Sequence, residues 1–357
     1  MKKTILSLIV AVVGILSCFA QDDLVATLNH GSSLTTYMGA DALAQAYNAA
    51  VDGDVITLSP GVFVGVDMKK TITVRGAGFK PMASNGYVST QITGTMGIEI
   101  PSDGTSIFQM EGIDFLHDLN ICSDKLLTVI LSKSKFRGSV YGHGINLKAT
   151  HCVFNGLRAN SSGIYNGSTI YRSTNLTCQN CVIATASCTG LSDNKVNKIQ
   201  ATNCVLKYYY PYDSHDGLPY STLINCVVIS QTNFSSQYPL AESCSAHSCI
   251  GISSNGYGAG LFNKIVDPTN VMVDGQGETA YANVFKTLKD VSTSSLYETF
   301  ELTDVAKTTY LGEDGTQVGI YGGTAPFTLE PTNPQVTKFV VSSTTEGGQL
   351  KVKINVE

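Results

Sequence analysis

The sequence predicts an all-β protein: a single-stranded parallel β-helix with a helical cap at its N-terminal end and a β-hairpin appendage at its C-terminal end. Two observations predict the β-helix. The tripeptide Asn-Cys-Val occurs at residues 180–182, 203–205 and 225–227. The alternation of apolar residues around these cysteines recurs seven times, at a spacing typical of one coil of a β-helix. Each copy of this pattern is called a rung.

Each rung has an anchor position, with apolar residues expected to point inward five and three residues before it and two residues after it. The anchors are Ile113, Ser134, Cys152, Cys181, Cys204, Cys226 and Cys249, separated by 21, 18, 29, 23, 22 and 23 residues. Two strands joined by a two-residue corner account for this pattern, because side chains alternate between the two faces of a strand. Asn precedes three anchors and is expected at the corner, where it tolerates left-handed backbone and its amide can stack into a ladder.

Residues 1–20 predict a cleaved secretory signal peptide, because Lys2 and Lys3 precede the apolar run from Ile5 to Leu16. Lipidation of Cys18 is the alternative interpretation. No other apolar run approaches the ~20 residues that a membrane-spanning helix needs, so no transmembrane segment is expected. We therefore expect a secreted protein, located in the periplasm, outside the cell or at the outer-membrane surface.

Residues 40–51 predict a helix, with Asp41 as its N-cap and Gly53 beyond its end. The apolar side chains that share one face of this helix are Leu43, Tyr47, Ala50 and Val51. Such a face would cover the first coil, whose sheet edge and core would otherwise be exposed.

Two motifs follow this helix. Gly53 to Phe63 has the pattern Gly-Asp-x-Ile-x-Leu-x-x-Gly-x-Phe, and Ile72 to Gly78 has the pattern Ile-x-Val-x-Gly-x-Gly. Over about residues 35–325 the chain resembles the pectate-lyase-like superfamily of right-handed parallel β-helix proteins. The resemblance implies a right-handed coil. It leaves the activity open, because that superfamily includes polysaccharide lyases, glycoside hydrolases, esterases and non-catalytic surface proteins.

The β-helix domain is expected to span residues 21–325. Residues 284–285 and 300–302 suggest one or two last coils, and residues 314–323 resemble the closing segment of secreted bacterial β-helix proteins. Residues 326–357 would form a proline-containing linker and a β-hairpin whose turn is at residues 346–349. Because a lone hairpin is marginally stable, it should dock on the solenoid, on a second copy or on a partner.

Ten cysteines occur in the chain, and several occupy inward rung positions. This placement favours stacked, buried and unreactive thiols. A zinc site is the minor alternative, because a Cys-x-x-Cys motif starts the set. Its ligands would be Cys178, Cys181, Cys188 and Cys204.

Charge is distributed unevenly along the chain. The formal net charge is −5, yet ten basic residues and one acidic residue, Asp193, lie between Lys125 and Lys207. Stacked coils would gather these cations into one positive zone that attracts an anionic polymer. The alternative is that they only solubilise outward faces. Nucleic acid is not expected as the partner, because the protein is predicted to be exported and acidic overall.

Loops beside this zone are rich in tyrosine, and Tyr141 and His143 follow one of the rungs. Tyrosine pairs a flat apolar face with a hydroxyl group, which suits the ring of a sugar. The alternative is that these tyrosines clamp loops onto the wall of the solenoid. The candidate polysaccharide-binding residues are Arg158, Arg172, Tyr171, Tyr208, Tyr209, Tyr210 and Tyr212.

The sequence therefore predicts a protein that binds a polysaccharide, and the basic zone favours an anionic one. One alternative is a lyase for a uronate-containing glycan, with Lys207 or His215 as the base and Ca²⁺ held by Asp213 and Asp216. A glycoside hydrolase is less favoured. It needs two facing carboxylates, and Asp213 and Asp216 are equally explained as residues of a turn. The other alternative is a non-catalytic surface or structural protein, such as an adhesin.

Overall fold

The computed structural model describes residues 24–80, 89–160, 162–189, 196–209, 218–230, 240–253, 260–275, 277–289, 300–328, 336–346 and 349–356. Within these residues, 21 strands form one large, mostly parallel sheet. Two strands form a separate antiparallel hairpin in the middle of the chain, and two more form another at its C-terminal end. The predicted signal peptide lies outside the described residues.

Strands make up most of the regular structure in the described residues. In chain order, the first strands are β1 (Val25–His30), β2 (Ser33–Met38), β3 (Val55–Leu58), β4 (Gly61–Val64), β5 (Thr73–Arg75), β6 (Thr90–Thr93), β7 (Met96–Glu99), β8 (Ile107–Glu111), β9 (Asp114–Phe115), β10 (Leu119–Ser132), β11 (Lys135–Thr150) and β12 (Val153–Asn160). The next are β13 (Ser162–Tyr165), β14 (Ser168–Tyr171), β15 (Asn175–Gln179), β16 (Val182–Thr189), β17 (Lys198–Thr202), β18 (Val205–Tyr209), β19 (Thr222–Ile224) and β20 (Val227–Ser230). The last are β21 (Ser245–His247), β22 (Ile250–Ser253), β23 (Val271–Met272), β24 (Val336–Glu346) and β25 (Gln349–Val356). The helices are α1 (Ala42–Ala49), α2 (Glu278–Val284) and α3 (Asp304–Thr309).

The predicted rung register is confirmed by the strand pairing. Residues three before the anchors are successive parallel partners, and so are residues two after them. The first set is Met110, Leu131, Ala149, Cys178, Ala201, Leu223 and Ala246, and the second is Phe115, Phe136, Phe154, Ile183, Leu206, Val228 and Gly251. All of these residues are buried. Such pairing from one rung to the next is consistent with a β-helix solenoid.

Aromatic stacking accompanies this register. The rings of Phe115, Phe136 and Phe154 lie one above another, with 5.0 Å between successive centroids. This separation matches the distance of about 4.8 Å between neighbouring strands. The core therefore continues from rung to rung.

The corner before each anchor has left-handed backbone in every rung. The residues are Gly112, Lys133, His151, Asn180, Asn203, Asn225 and Ser248. The prediction for the three asparagines is confirmed in backbone conformation. The expected amide ladder is not seen: Oδ1 of Asn180 and of Asn203 has no partner among the described residues, and Asn225 Oδ1 accepts from the backbone N–H of Glu313. Asn180 Nδ2 donates to the carbonyls of Ile320 and Gly322, both at 2.8 Å.

Helix α1 is shorter than the sequence predicts. It ends at Ala49, and the side chain of Val51 is 49% exposed, so it does not belong to the buried face. Asp41 occupies the N-cap position but makes no capping hydrogen bond through its side chain. Lys70 Nζ donates to the carbonyls of Tyr47 and Ala50 at 2.8 and 2.7 Å, which satisfies the end of the helix.

The last coils expected around residues 284 and 300 are replaced by a different arrangement. Val284 ends helix α2, and Phe285 and Leu302 form a single antiparallel bridge. Residues 300–328, called the C-terminal segment, place Val318, Ile320 and Phe327 in a second apolar cluster with outward-facing valines of the rungs. This cluster covers the outside of the sheet.

Strands β24 and β25 pair as the predicted antiparallel hairpin. Among the residues that the structure describes, no helix has the length and apolar character needed to cross a bilayer.

Candidate functional site

Four neighbouring strands present two rows of outward-facing residues. In the first row, Gly97 of β7 is followed by Asn120, Tyr141 and Arg158 of β10, β11 and β12. In the second row, two residues further along each strand, the residues are Glu99, Cys122, His143 and Asn160. Because side chains two residues apart lie on the same face of a strand, both rows face the same side of the sheet.

A covering hairpin formed by β13 and β14 lies against this face and closes a pocket. The cavity has a volume of 460 Å³ and is called the hairpin pocket. Its lining residues are Gly97, Glu99, Asn120, Cys122, His143, Ser162, Gly163, Ile164 and Thr169. A Cβ atom on Gly163 would lie 2.5 Å from the Cβ of His143, so the close approach of the hairpin depends on this glycine.

His143 is fixed by a bond to the covering hairpin. Its Nδ1 lies 2.5 Å from the carbonyl oxygen of Ser162. Because a carbonyl only accepts, Nδ1 carries the proton, and Nε2 of the neutral ring is left as an acceptor. Burial lowers the pKa of His143, while the hydrogen bond to Ser162 opposes that shift. The imidazole is therefore neutral at pH 7.

Aromatic and cationic groups line up beside the pocket. The rings of Tyr141 and His143 are nearly parallel, with centroids 6.5 Å apart. The guanidinium carbon of Arg158 lies 5.4 Å from the centroid of the Tyr141 ring, a cation–π contact. Arg172 packs on Gly144, where an added Cβ would lie 2.7 Å from the Cβ of Arg172. One arginine thus contacts the aromatic pair directly, and the other packs on the residue that follows His143.

Cys122 forms part of the floor of the hairpin pocket. Burial raises the pKa of its thiol to about 11, and the nearby charge of Glu99 acts in the same direction. Nucleophilic cysteines need the thiolate, which this environment disfavours at neutral pH. Cys122 therefore contributes shape and a weak polar contact rather than thiolate chemistry.

A second cavity lies where β11, β12, β16 and β18 run side by side. It has a volume of 240 Å³ and is called the basic groove. Its lining residues are Lys135, Phe136, Arg137, Val153, Phe154, Asn155, Val182, Ala184 and Lys207. Arg137 also bonds the buried carboxylate of Asp114 through Nε at 3.0 Å and Nη2 at 2.6 Å.

The residues expected from the sequence are divided between these places. Arg158 and Arg172 lie beside the hairpin pocket, and Tyr171, which ends β14, is 53% exposed. Lys207, one candidate base, lies in the basic groove instead. Tyr208 and Tyr209 belong to β18, but their side chains are outside the described part of the structure. The remaining candidates, which are also outside it, are Tyr210, Tyr212, Asp213, His215 and Asp216.

Sequence reasoning missed Glu99, Asn120 and Cys122 of the hairpin pocket. Glu99 lies on β7, and Asn120 and Cys122 lie in the first part of β10. These positions fall outside the stretch from five residues before an anchor to two residues after it, which defines a rung. A usable signal existed, because Leu119 and Ile121 alternate with Asn120 and Cys122 as a half-buried strand does.

The cysteines at the anchors form a ladder of hydrogen bonds from backbone N–H groups to thiol sulfurs. The backbone N–H of Cys181 donates to the Sγ of Cys204 at 3.4 Å, and Cys226 bonds Cys249 in the same way. The nine cysteines in the described residues are all free of disulfides. Burial raises the pKa of Cys204. No cluster of three or more His, Cys, Asp or Glu side chains suited to a metal ion occurs within the described ranges.

Comparisons with known protein families, with curated proteins and with solved structures each find no match for this chain. The structure shows the class of the fold: a mostly β protein with a long, mostly parallel sheet that is compatible with a β-helix.

Proposed function

We propose that this protein is exported and binds a polysaccharide, most favourably an anionic one, at the hairpin pocket and the surface beside it. The observation that carries the proposal is that His143, which lines a 460 Å³ cavity, lies beside the ring of Tyr141, over which Arg158 makes a cation–π contact. Aromatic faces stack on the apolar side of a sugar, while a guanidinium group pairs with a carboxylate or sulfate.

The lining of the pocket supports a sugar ligand. Asn120 supplies an amide, Glu99 a carboxylate and Ser162 and Thr169 hydroxyl groups. With His143, five of the nine described lining residues carry polar side chains, and such convergent groups orient a small ring by hydrogen bonds. Glu99 opposes binding of an anionic group at its own position, so the acidic groups of the ligand should lie toward Arg158 and Arg172.

The handedness and the two ends of the fold belong to the same proposal. The parallel sheet would wind as a right-handed β-helix of the pectate-lyase-like type, as the resemblance over about residues 35–325 implies. Helix α1 would be its N-terminal cap, because Leu43 and Tyr47 are buried in the same cluster as Ile56 of β3. Residues 326–357 would form the linker and hairpin appendage, whose hairpin could contact a second copy or another partner.

Binding of residues 21–357 to immobilised polyuronates, sulfated glycans and neutral glycans tests the proposal. We expect saturable binding that weakens in Arg158→Ala and Tyr141→Ala and is unchanged in Lys148→Ala, an exposed cation of β11. Lack of binding to every glycan would contradict the proposal and favour a surface or structural role.

A lyase is the second candidate, and His143 is the observation that favours it. A uronate lyase needs a base for the proton next to the carboxylate, and the neutral ring of His143 leaves Nε2 able to accept that proton. The C–H and glycosidic C–O bonds break, a C=C bond forms, and the proton passes to the leaving oxygen. We expect ultraviolet absorbance from unsaturated ends that is abolished in His143→Gln. Binding without such product would leave the binding function alone.

A further inference from the structure

We propose that the basic groove is a second subsite, which takes a carboxylate or sulfate group of the same anionic polysaccharide. This inference rests on the proposed function for the identity of the ligand. The anion-binding property of the groove itself is tested independently of it.

The groove gathers three cations from separate strands onto one surface. Lys135 and Arg137 belong to β11, and Lys207 belongs to β18, further along the sheet. All three line the same 240 Å³ cavity, and none of its nine described lining residues is acidic. Asp114 bonds Arg137 and also acts on Lys135, so this one carboxylate is shared by two of the three cations.

The surroundings of Lys135 favour an anionic ligand. Burial lowers the pKa of this lysine, and the neighbouring charge of Arg137 lowers it further, while Asp114 acts in the opposite direction. An oxyanion in the groove would offset both unfavourable effects on the ammonium group. Val153 and Val182 form an apolar wall, which lowers the local dielectric and strengthens such an ion pair.

The position of the groove makes a single extended ligand reasonable. Arg137 of the groove and Tyr141, which lies beside the hairpin pocket, are four residues apart on β11. Along an extended strand this separation is at most about 13 Å. Asn155 and Arg158 have a similar relation on β12. A chain of several sugars would reach from one site to the other, whereas a single sugar would fill the pocket alone.

Variants with altered lysines test the groove against the pocket. The changes are Lys135→Gln and Lys207→Gln together, with Lys148→Gln as the matched control, because Lys148 is an exposed lysine of β11 outside both cavities. We expect the double variant to bind long polyuronate or long sulfated chains about tenfold more weakly, with disaccharide binding unchanged. Circular dichroism verifies that each variant folds. Unchanged binding of long chains would overturn the proposal, and a response to only one polymer type identifies the acidic group.

A chemical probe tests the groove even if no glycan binds. Pyridoxal 5′-phosphate is an anionic aldehyde that condenses with lysine amines, and borohydride reduces the resulting imine. Peptide mapping should find Lys135 and Lys207 labelled ahead of the exposed Lys148, and inorganic sulfate should suppress that labelling. Labelling that follows exposure alone, or that sulfate leaves unchanged, would overturn the subsite. Failure of glycan binding with preferential labelling would contradict the proposed function and retain the anion site.

Discussion

His143 shows how one hydrogen bond sets the chemistry of the hairpin pocket. The carbonyl of Ser162 fixes the proton on Nδ1, and partial burial disfavours the imidazolium ion. The ring is therefore prepared to accept a hydrogen bond from a sugar hydroxyl at Nε2. Tyr141 supports this orientation by stacking beside it.

The first prediction concerns the protonation of His143. Its pKa in the folded protein should lie below the ordinary value of 6.5, because burial disfavours the charged ring. The folded state then binds this proton less readily than the unfolded state. The buried neutral ring therefore contributes to the free energy of unfolding above pH 6.5, and this contribution is lost as the pH falls through the lower pKa of the folded state.

Nuclear magnetic resonance titration of the imidazole carbon-bound protons measures this pKa directly. His143→Phe assigns the signal by removing it. A midpoint at or above the ordinary value of 6.5 would show that burial does not control the ring. An anionic glycan in the pocket should raise the midpoint, because it stabilises the imidazolium ion.

At the level of single residues, the corners were only partly predictable. Asn180, Asn203 and Asn225 indicate left-handed backbone in the sequence, because asparagine adopts it at low cost. Lys133 and His151 adopt the same conformation without such a signal, with φ of 45° and 53°. Their neighbours in the stacked rungs impose the corner, so only the spacing of the anchors could locate it.

The covering hairpin formed by β13 and β14 is the element on which the pocket depends. Gly163 allows it to approach His143, since a Cβ atom at this position would lie 2.6 Å from His143 Cγ. Gly163→Val should therefore displace the hairpin and open the pocket. We expect glycan binding to fall about tenfold or more, with the free energy of unfolding changed by less than about 1 kcal/mol.

Binding isotherms together with denaturant unfolding separate these two effects. Ser168→Ala is the control, because Ser168 is exposed on the other strand of the same hairpin. Unimpaired binding by Gly163→Val would show that the ligand does not use the space beneath the hairpin.

The C-terminal segment is a second element whose attachment can be tested. Asn180 Nδ2 donates to two of its carbonyls, while Oδ1 of the same amide has no partner among the described residues. Asn180→Asp keeps the shape of the residue but replaces both donated bonds by contacts between a carboxylate and carbonyl oxygens. The free energy of unfolding should fall by about 2–4 kcal/mol near pH 7.

Denaturant unfolding measures this loss, and hydrogen exchange should localise it to residues 300–328. Asn155→Asp is the control, because Asn155 is exposed on a neighbouring strand. Equal stability of the two variants would mean that the apolar cluster alone holds the segment in place.

The same segment explains the apolar residues at one outward position of the rungs. Val182, Val205 and Val227 follow three anchors directly and therefore point away from the inner core. Apolar residues at an outward position in successive rungs require a cover, and Val318 and Ile320 provide it. Sequence alternation identifies such a stripe, but it cannot say which distant segment covers it.

At the scale of the whole molecule, the rungs were predictable because each depends on a short stretch of alternating residues. The burial of Phe136 follows from its place two residues after an anchor. The hairpin pocket depends instead on β7, β10 and the covering hairpin, which lies in the longest step between anchors. A local pattern contains no information on how an inserted hairpin folds back over neighbouring strands, so the pocket required the structure.

Charge distribution gives the last prediction, because the chain is acidic overall yet is proposed to bind a polyanion. Arg158 and Arg172 beside the hairpin pocket, together with the cations of the basic groove, would create a positive surface on a protein of net charge −5. Binding of a polyuronate should weaken as salt rises from about 0.05 M to about 0.5 M, where screening shortens the Debye length to a few ångströms. Because short-range contacts with Tyr141 are less screened, some affinity should persist at high salt.

Arg158→Ala should reduce the slope of log affinity against log salt concentration, and Lys148→Ala should change it less. Equal slopes for the two variants would mean that diffuse charge, rather than the arginine at the pocket, attracts the polymer.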